Sequence, residues 1–357
     1  MDKFVKPLKA ICFSIINQVF LRIVLAIIFS FLIVLFVSWL EKIPINNNIF
    51  KEILSIIKVD NIEAFSILAL ALLYVFETGE RRQKTIYEAW QVIDNAAAAK
   101  VETSYARITA LQDLNRYGVS LKGLDVPKAD LEKINLSKAE LPEADLKKAI
   151  LKGAKLQRAN LREAKLKRAN LREAKLQRAK LQRANLREAE LQRAKLQRAN
   201  LREAELQRAK LQEAKLQRAG LYKAKLEEAE LQRAKLQGAN LRVAKLQGAN
   251  LEEANLQEAE LRKAELQGAD LQGADLQGAD LQVANLQGAN LQGAKLQGAK
   301  LQGAKLQGAS LQGASLQRAN IEEAEVENAQ FGNNQGISEE TRAKLIQEGA
   351  IFSDAPG

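Results

Sequence analysis

Apolar side chains recur at every fifth position through the last two thirds of the chain. Leucine occupies each of these central positions from Leu131 to Leu316. The last three central positions hold Ile321, Val326 and Phe331. Alanine lies two positions before the central residue in every unit except the one with Ile134. Because polar residues or glycine fill most other positions, the pattern predicts one repeated structural unit over residues 121–335.

A five-residue period excludes an α-helix, although leucine, alanine, glutamine, lysine, glutamate and arginine all favour one. Five residues turn an α-helix by about 500°, so successive leucines would point in all directions around its axis. In an extended segment, the alanine and the leucine two positions later share one side. We therefore predict an all-β solenoid in which four such segments close a coil of about 20 residues, with coils about 4.8 Å apart.

The first 80 residues have the pattern of a membrane anchor with two transmembrane helices, at about residues 22–40 and 61–76. Residues 23–40, IVLAIIFSFLIVLFVSWL, carry no charge and would span about 27 Å as a helix. A cleaved signal peptide is the alternative, but the run is long for one and no A-x-A site follows. Residues 64–76 are short for a span, so a buried core helix is the alternative there. Basic flanking residues favour a cytoplasmic repeat domain.

Residues 81–120 are predicted to form a helical linker that covers the first open end of the solenoid. Apolar residues between positions 86 and 93 follow helical spacing, and Gly118 would end a helix over residues 81–117. Solenoids need such caps because an open end exposes unpaired backbone groups.

Residues 336–357 are predicted to form a short capping helix and a tail. Ser338 is a suitable N-cap and Gly349 a suitable stop. Four apolar residues would cover the last coil, namely Leu345, Ile346, Ile351 and Phe352.

The repeat resembles the pentapeptide-repeat family, whose consensus is A-[D/N]-L-x-x. The resemblance implies a right-handed quadrilateral β-helix, and the layout with an N-terminal membrane anchor is similar to multidomain members from cyanobacteria. The chain departs from the consensus before the central leucine, where lysine often replaces Asp or Asn, as at Lys175, Lys195, Lys215 and Lys235. With four units per coil, these lysines would lie above one another and repel.

Net charge divides the repeat domain into two unlike parts within a chain of net charge +11. Residues 121–235 hold 31 basic and 16 acidic side chains, whereas residues 236–357 hold 10 and 16. A basic block attracts anionic lipid headgroups, nucleic acid or acidic protein partners. We predict a contact surface formed by Arg158, Arg168, Lys175, Arg178, Lys195, Arg198, Lys215, Arg218 and Lys235.

The composition offers little catalytic chemistry. The chain has no histidine and a single cysteine, Cys12, which excludes Ser-His-Asp and Cys-His catalysis, Cys/His zinc sites and intrachain disulfides. Its many carboxylates lie at repetitive positions, so none is distinguished as an acid or base. We therefore predict no catalytic residue, no metal site, no cofactor and no enzymatic activity.

Three functions fit these features. The first is a membrane-anchored scaffold, in contact with membrane lipid, that presents a rigid charged rod to protein partners or to anionic headgroups. The second is an accessory role in envelope lipid transport or assembly. The third is binding of nucleic acid or of a topoisomerase. Two features oppose it: family members that imitate DNA are acidic, and Tyr222 is the single aromatic residue between positions 131 and 330. The sequence indicates no oligomeric state.

Overall fold

The computed structural model describes residues 62–353, with side chains described for Tyr74 and for residues 81–353. The chain divides into two compact units, Met1–Thr85 and Ile86–Gly357. Helix α1 runs over Ile62–Ala98 and helix α2 over Tyr105–Arg116. The repeat domain follows them. The C-terminal elements are strand β1 (Gln330–Phe331), helix α3 (Glu339–Gln347) and strand β2 (Ile351–Phe352).

The repeats form a β-helix with four five-residue sides per coil. Each residue before a central leucine pairs in parallel with the residue 20 positions later, as Lys175 does with Lys195. Beside this pair, the Leu176 N–H donates to the Lys195 carbonyl oxygen over 2.7 Å. The Lys195 N–H donates in turn to the Ala174 carbonyl oxygen over 2.8 Å. The same bonds recur from coil to coil, which confirms the predicted length of the coil.

Leucine and alanine fill the interior, as the period predicts. The leucines from Leu131 to Leu311 and the alanines from Ala129 to Ala314 are at most 2% exposed. Burying a leucine side chain contributes about 1.5–3 kcal/mol, so the stacked leucines are the main source of stability. The gap along the leucine-lined axis amounts to about 10 Å³, which is too small for a ligand.

The residue two positions after each central leucine turns the corner between two sides. Glycine adopts the left-handed backbone conformation there, as Gly268 does with φ +62°. Arginine and glutamate adopt it equally, with φ +58° at both Arg198 and Glu203. The corner geometry is therefore imposed by the coil and not by the residue type.

The linker is not one helix, which corrects the prediction of continuous helix over residues 81–117. The chain leaves the helix after Ala98 because Thr103 pairs in parallel with Asp130 of the first coil. The Asp130 N–H donates to the Glu102 carbonyl oxygen over 2.7 Å, so this short segment extends the β-helix by one rung. Ser104 then caps α2, which ends just before Gly118, as predicted.

The two linker helices supply the N-terminal cap of the β-helix. Ile93 of α1 and Leu111 and Leu114 of α2 are buried in the same apolar core as Leu121. The predicted covering of the first open end is thus present, built from two helices.

The C-terminal cap follows the prediction in part. The Ser338 hydroxyl accepts a hydrogen bond from the Thr341 N–H at the start of α3, and Leu345 is buried. Strand β2 pairs in parallel with β1, and Phe352 stacks on Phe331 with ring centroids 5.0 Å apart. Ile346 and Ile351 are each half exposed, so they do not cover the last coil as predicted.

Membrane-spanning helices were predicted at about residues 22–40 and 61–76. The first segment lies outside the described residues. The second lies at the start of α1. No helix among residues 62–353 is long and apolar enough to cross a bilayer. The uninterrupted apolar run of residues 64–76 would reach only about 20 Å as a helix, so the structure does not support the predicted hairpin.

Candidate binding surface: the basic face

One side of the β-helix carries only basic and neutral polar side chains over five coils. The pentapeptide AKLQR recurs at residues 154–158, 174–178, 194–198 and 214–218, and AKLQG follows at 234–238. Because these units lie one coil apart, their side chains stack in register. We call this side the basic face, formed by Lys155, Arg158, Lys175, Arg178, Lys195, Arg198, Lys215, Arg218 and Lys235.

The cations of the basic face form two parallel columns. The lysines pair through their backbones from Lys155 to Lys235 in four steps, a distance of about 19 Å at β-sheet spacing. The arginines occupy the corner positions in the left-handed conformation and are exposed. The middle lysines are half-buried, so their stems lie along the surface. Half-buried glutamines separate the two columns.

No cation of the basic face is held by a carboxylate of the described part of the chain. None of the ion pairs there includes any of the nine residues, and no acidic residue lies on this side between positions 155 and 238. The like charges of neighbouring coils are therefore stacked without compensation, as the lysine pattern predicts.

The other three sides compensate their charges between coils. Arg168 binds Glu188, with Nε and Oε2 2.5 Å apart, and Arg183 similarly binds Glu203 over 2.9 Å. These hydrogen bonds from arginine are the main cause that lowers the pKa of each glutamate. Arg193 binds Glu213 over 2.9 Å on a further side. On these three sides, arginines and glutamates of successive coils therefore form ladders of exposed ion pairs.

The structure places eight of the nine predicted contact residues on the basic face. Arg168 is the exception, because it lies on another side and pairs with Glu188. Lys155 belongs to the face and was missed in the sequence prediction. Comparing every fourth pentapeptide would have found it, since AKLQR occupies four successive units at that interval. Net charge by segment hides this arrangement because it averages over all four sides.

No group of three or more His, Cys, Asp or Glu side chains within residues 62–353 is placed to hold a metal ion. A hollow lined by Arg168, Glu188, Arg208, Lys210, Glu228 and Glu230 is shallow and has mixed charge. The chemistry that the basic face can perform is binding of anionic groups.

The sequence profile described as Pentapeptide repeats matches the chain in 8 copies, in segments between residues 117 and 333. These segments cover more than half of the chain, so the chain belongs to the pentapeptide-repeat family. Proteins of this family form right-handed β-helices. The matched segments begin at residue 117, so the likeness to membrane-anchored cyanobacterial members is not supported.

Several solved structures resemble the chain. HetL of the cyanobacterium Nostoc sp. strain PCC 7120, a pentapeptide repeat protein involved in heterocyst differentiation regulation, is 31% identical. The match covers 62% of this chain and 95% of HetL, with a TM-score of 0.34. The plasmid-mediated fluoroquinolone resistance protein QnrB1 is 15% identical. The match covers 57% of this chain and 91% of QnrB1, with a TM-score of 0.19. A pentapeptide repeat protein of the Arabidopsis thaliana thylakoid lumen is 24% identical. The match covers 34% of this chain and 74% of that protein, with a TM-score of 0.17. The comparison with curated proteins finds no match.

Proposed function

We propose that the chain is a non-enzymatic interaction rod whose basic face binds an acidic protein partner. The supporting observation is a set of nine cations on one rigid side, none of them paired with a carboxylate of the described residues. A rigid backbone presents these charges in a fixed array, which lowers the ordering cost of binding. Uncompensated surface charge also accelerates encounter with an oppositely charged partner and selects against basic ones.

The side chains between the two columns bear on the kind of partner. Gln177, Gln197 and Gln217 lie there, and their Oε1 atoms are buried without a hydrogen-bond partner in the described part of the chain. Their amide groups can therefore donate hydrogen bonds to the carboxylates of an acidic partner. The face also holds no aromatic side chain on which a nucleobase could stack.

An anionic lipid surface is the second candidate. The two columns lie on one side of the β-helix, so a planar surface can approach all nine cations together. Each Lys or Arg near an anionic leaflet contributes about 1 kcal/mol of attraction.

A matched pair of fourfold variants tests the basic face. The face variant carries Lys175→Gln, Lys195→Gln, Lys215→Gln and Lys235→Gln. The control variant carries Arg168→Gln, Arg183→Gln, Arg193→Gln and Arg233→Gln, which removes the same charge from ion-paired positions. The full-length chain in mild detergent is titrated against a fluorescent polyglutamate peptide long enough to follow the lysine column. We expect Kd to rise at least about tenfold in the face variant, equal to about 1.4 kcal/mol, and less than about threefold in the control.

Equal losses of affinity for the peptide in the two variants would contradict the proposal, because net charge alone would then explain binding. Mixed micelles with phosphatidylserine and a short DNA duplex serve as further probes. Face-dependent binding of the micelles without binding of the peptide would replace the protein partner by a lipid surface. Face-dependent binding of the duplex alone would replace it by nucleic acid.

Membrane attachment through residues 23–40 is a separate part of the proposal and rests on their uncharged apolar sequence. With it we propose that the repeat domain lies on the cytoplasmic side. Alkaline carbonate should leave the chain in the membrane pellet, and protease should digest the repeat domain in inside-out vesicles only. Release by carbonate would refute attachment, and protection in inside-out vesicles would refute the cytoplasmic side.

A further inference from the structure

The basic face repeats itself, which leaves the axial position of a bound partner undetermined. Its coils present the same Lys, Gln and Arg side chains from residue 155 to residue 218. A partner displaced by one coil, about 4.8 Å, would meet almost the same charges. Specific docking on such a surface requires a feature that occurs once.

The segment at residues 220–223 is such a feature. The position before the central leucine holds Asn200, Gly220 and Asn240 in three successive coils of the side that adjoins the basic face. Gly220 does not have a left-handed backbone, and an added Cβ would meet its nearest atom, Asn200 Oδ1, only at 3.9 Å. The glycine is therefore not required by the backbone. It leaves a gap of one side chain between two asparagines.

Tyr222 lies on the same side of the same coil and is the single aromatic residue between positions 131 and 330. The guanidinium carbons of Arg202 and Arg242, from the coils before and after, lie 5.4 and 5.8 Å from its ring centroid. The Lys223 ammonium lies 5.4 Å from the same centroid. Among the described residues, the Tyr222 hydroxyl has no hydrogen-bond partner. Tyrosine and arginine are the residue types that most often dominate binding energy at protein interfaces.

The gap adjoins the basic face directly. Arg218 occupies the corner between the two sides, two residues before Gly220, and belongs to the basic face. We propose that Gly220 and Tyr222 form a register site, where an acidic protein segment bound to the basic face crosses the Arg218 corner and inserts one aromatic side chain. This inference rests on the proposed function and adds the position and chemistry of the partner's anchoring residue.

A protein segment fits this site better than a lipid surface or a nucleic-acid backbone. The gap is the size of a single side chain, and Asn200 and Asn240 offer polar groups in the coils before and after it. A bilayer or a phosphate backbone would gain little from a gap of this size. An inserted ring would contact the Tyr222 ring and the arginines that flank it.

Two synthetic acidic peptides test the register site with the full-length chain. Both have the same length and the same order of Glu and Ser, and they differ only in a central Trp or Ala. We expect the Trp peptide to bind the unsubstituted chain about tenfold more tightly, by fluorescence anisotropy. Gly220→Asn restores the asparagine column, and Tyr222→Gln restores the glutamine common at that position. Each should abolish the preference for Trp and leave the affinity for the Ala peptide unchanged.

Asn250→Gln, at the equivalent position on the opposite side, is the control and should retain the Trp preference. Equal affinity of both peptides for the unsubstituted chain would overturn the register site while leaving the basic face intact. Failure of both peptides to bind would overturn the proposed function itself. A single-stranded oligothymidine that binds more tightly than the Trp peptide, and loses affinity on Tyr222→Gln, would show that the site stacks nucleobases instead.

Discussion

At the residue scale, the fold places every fifth residue in a backbone conformation that most side chains avoid. Corner residues have φ between about +53° and +68° whether they are glycine, arginine, lysine, glutamate or valine. In this region the Cβ atom crowds the following carbonyl oxygen, which costs roughly 1–2 kcal/mol. Val243 and Val283 are the extreme cases because their side chains are branched at Cβ. Coil stacking must offset this strain at each corner.

Val283→Gly should therefore stabilise the β-helix. Val283 has φ +57° and is 52% exposed, so glycine relieves strain and loses little apolar burial. We expect a gain of about 1 kcal/mol in the free energy of unfolding after the entropy cost of glycine, seen as a midpoint about 2 °C higher. Val283→Ala retains a Cβ and should give a smaller gain. A midpoint below that of the unsubstituted chain would show that the valine corner is not strained.

At the element scale, a buried arginine organises the N-terminal cap. Arg107 of α2 is 2% exposed, and its guanidinium donates to the carbonyl oxygens of Val101 and Glu102. These acceptors belong to the segment between the two helices, so Arg107 fixes the rung that Thr103 forms with Asp130. Burial lowers the pKa of Arg107, and the charge of Asp130 opposes that shift. An arginine remains protonated at neutral pH, so the cap holds a buried charge. Its two terminal nitrogens each donate to a backbone carbonyl, whereas its Nε is buried without a hydrogen-bond partner among the described residues.

The repeat domain was predictable from sequence because its information is local and strictly periodic. Alanine and leucine two positions apart specify the inward side, and the uniform unit specifies the stacking. The helix break between α1 and α2 was not predictable in the same way. Strong helix formers precede it, and its cause is the pairing of Thr103 with Asp130, a residue beyond the whole of α2 in the sequence. The roles of Ile346 and Ile351 were mispredicted because apolar character alone does not show which side chains face the last coil.

Most residues of the candidate site were predicted from the sequence, but Lys155 was missed and Arg168 was wrongly included. Basic character and the stacked lysines follow from the sequence, whereas the assignment of Arg168 required the ion pairs between coils. Signs alternate between neighbouring pentapeptides as well as between successive coils, so charge alone cannot assign a residue to a side.

At the scale of the whole repeat domain, charge is segregated in a way that stability does not require. Three sides pair their charges between coils, and one side stacks lysines from Lys155 to Lys235 without partners. Like charges directly opposite one another in a sheet are destabilising, so the basic face should reduce stability. A surface that retains such a cost is more readily explained by binding than by folding.

The fourfold Lys→Gln face variant should therefore melt at a higher temperature than the unsubstituted chain at low ionic strength. The fourfold Arg→Gln control removes the same charge but breaks ion pairs, so its midpoint should stay equal or fall. In about 1 M NaCl the Debye length is about 3 Å, and the gain of the face variant should largely disappear. Circular dichroism recorded during thermal unfolding, at both salt concentrations, measures these melting midpoints. A face variant that melts lower than the unsubstituted chain at low salt would show that the lysine column is not a repulsive ladder. The main support for reading the basic face as a binding surface would then be lost.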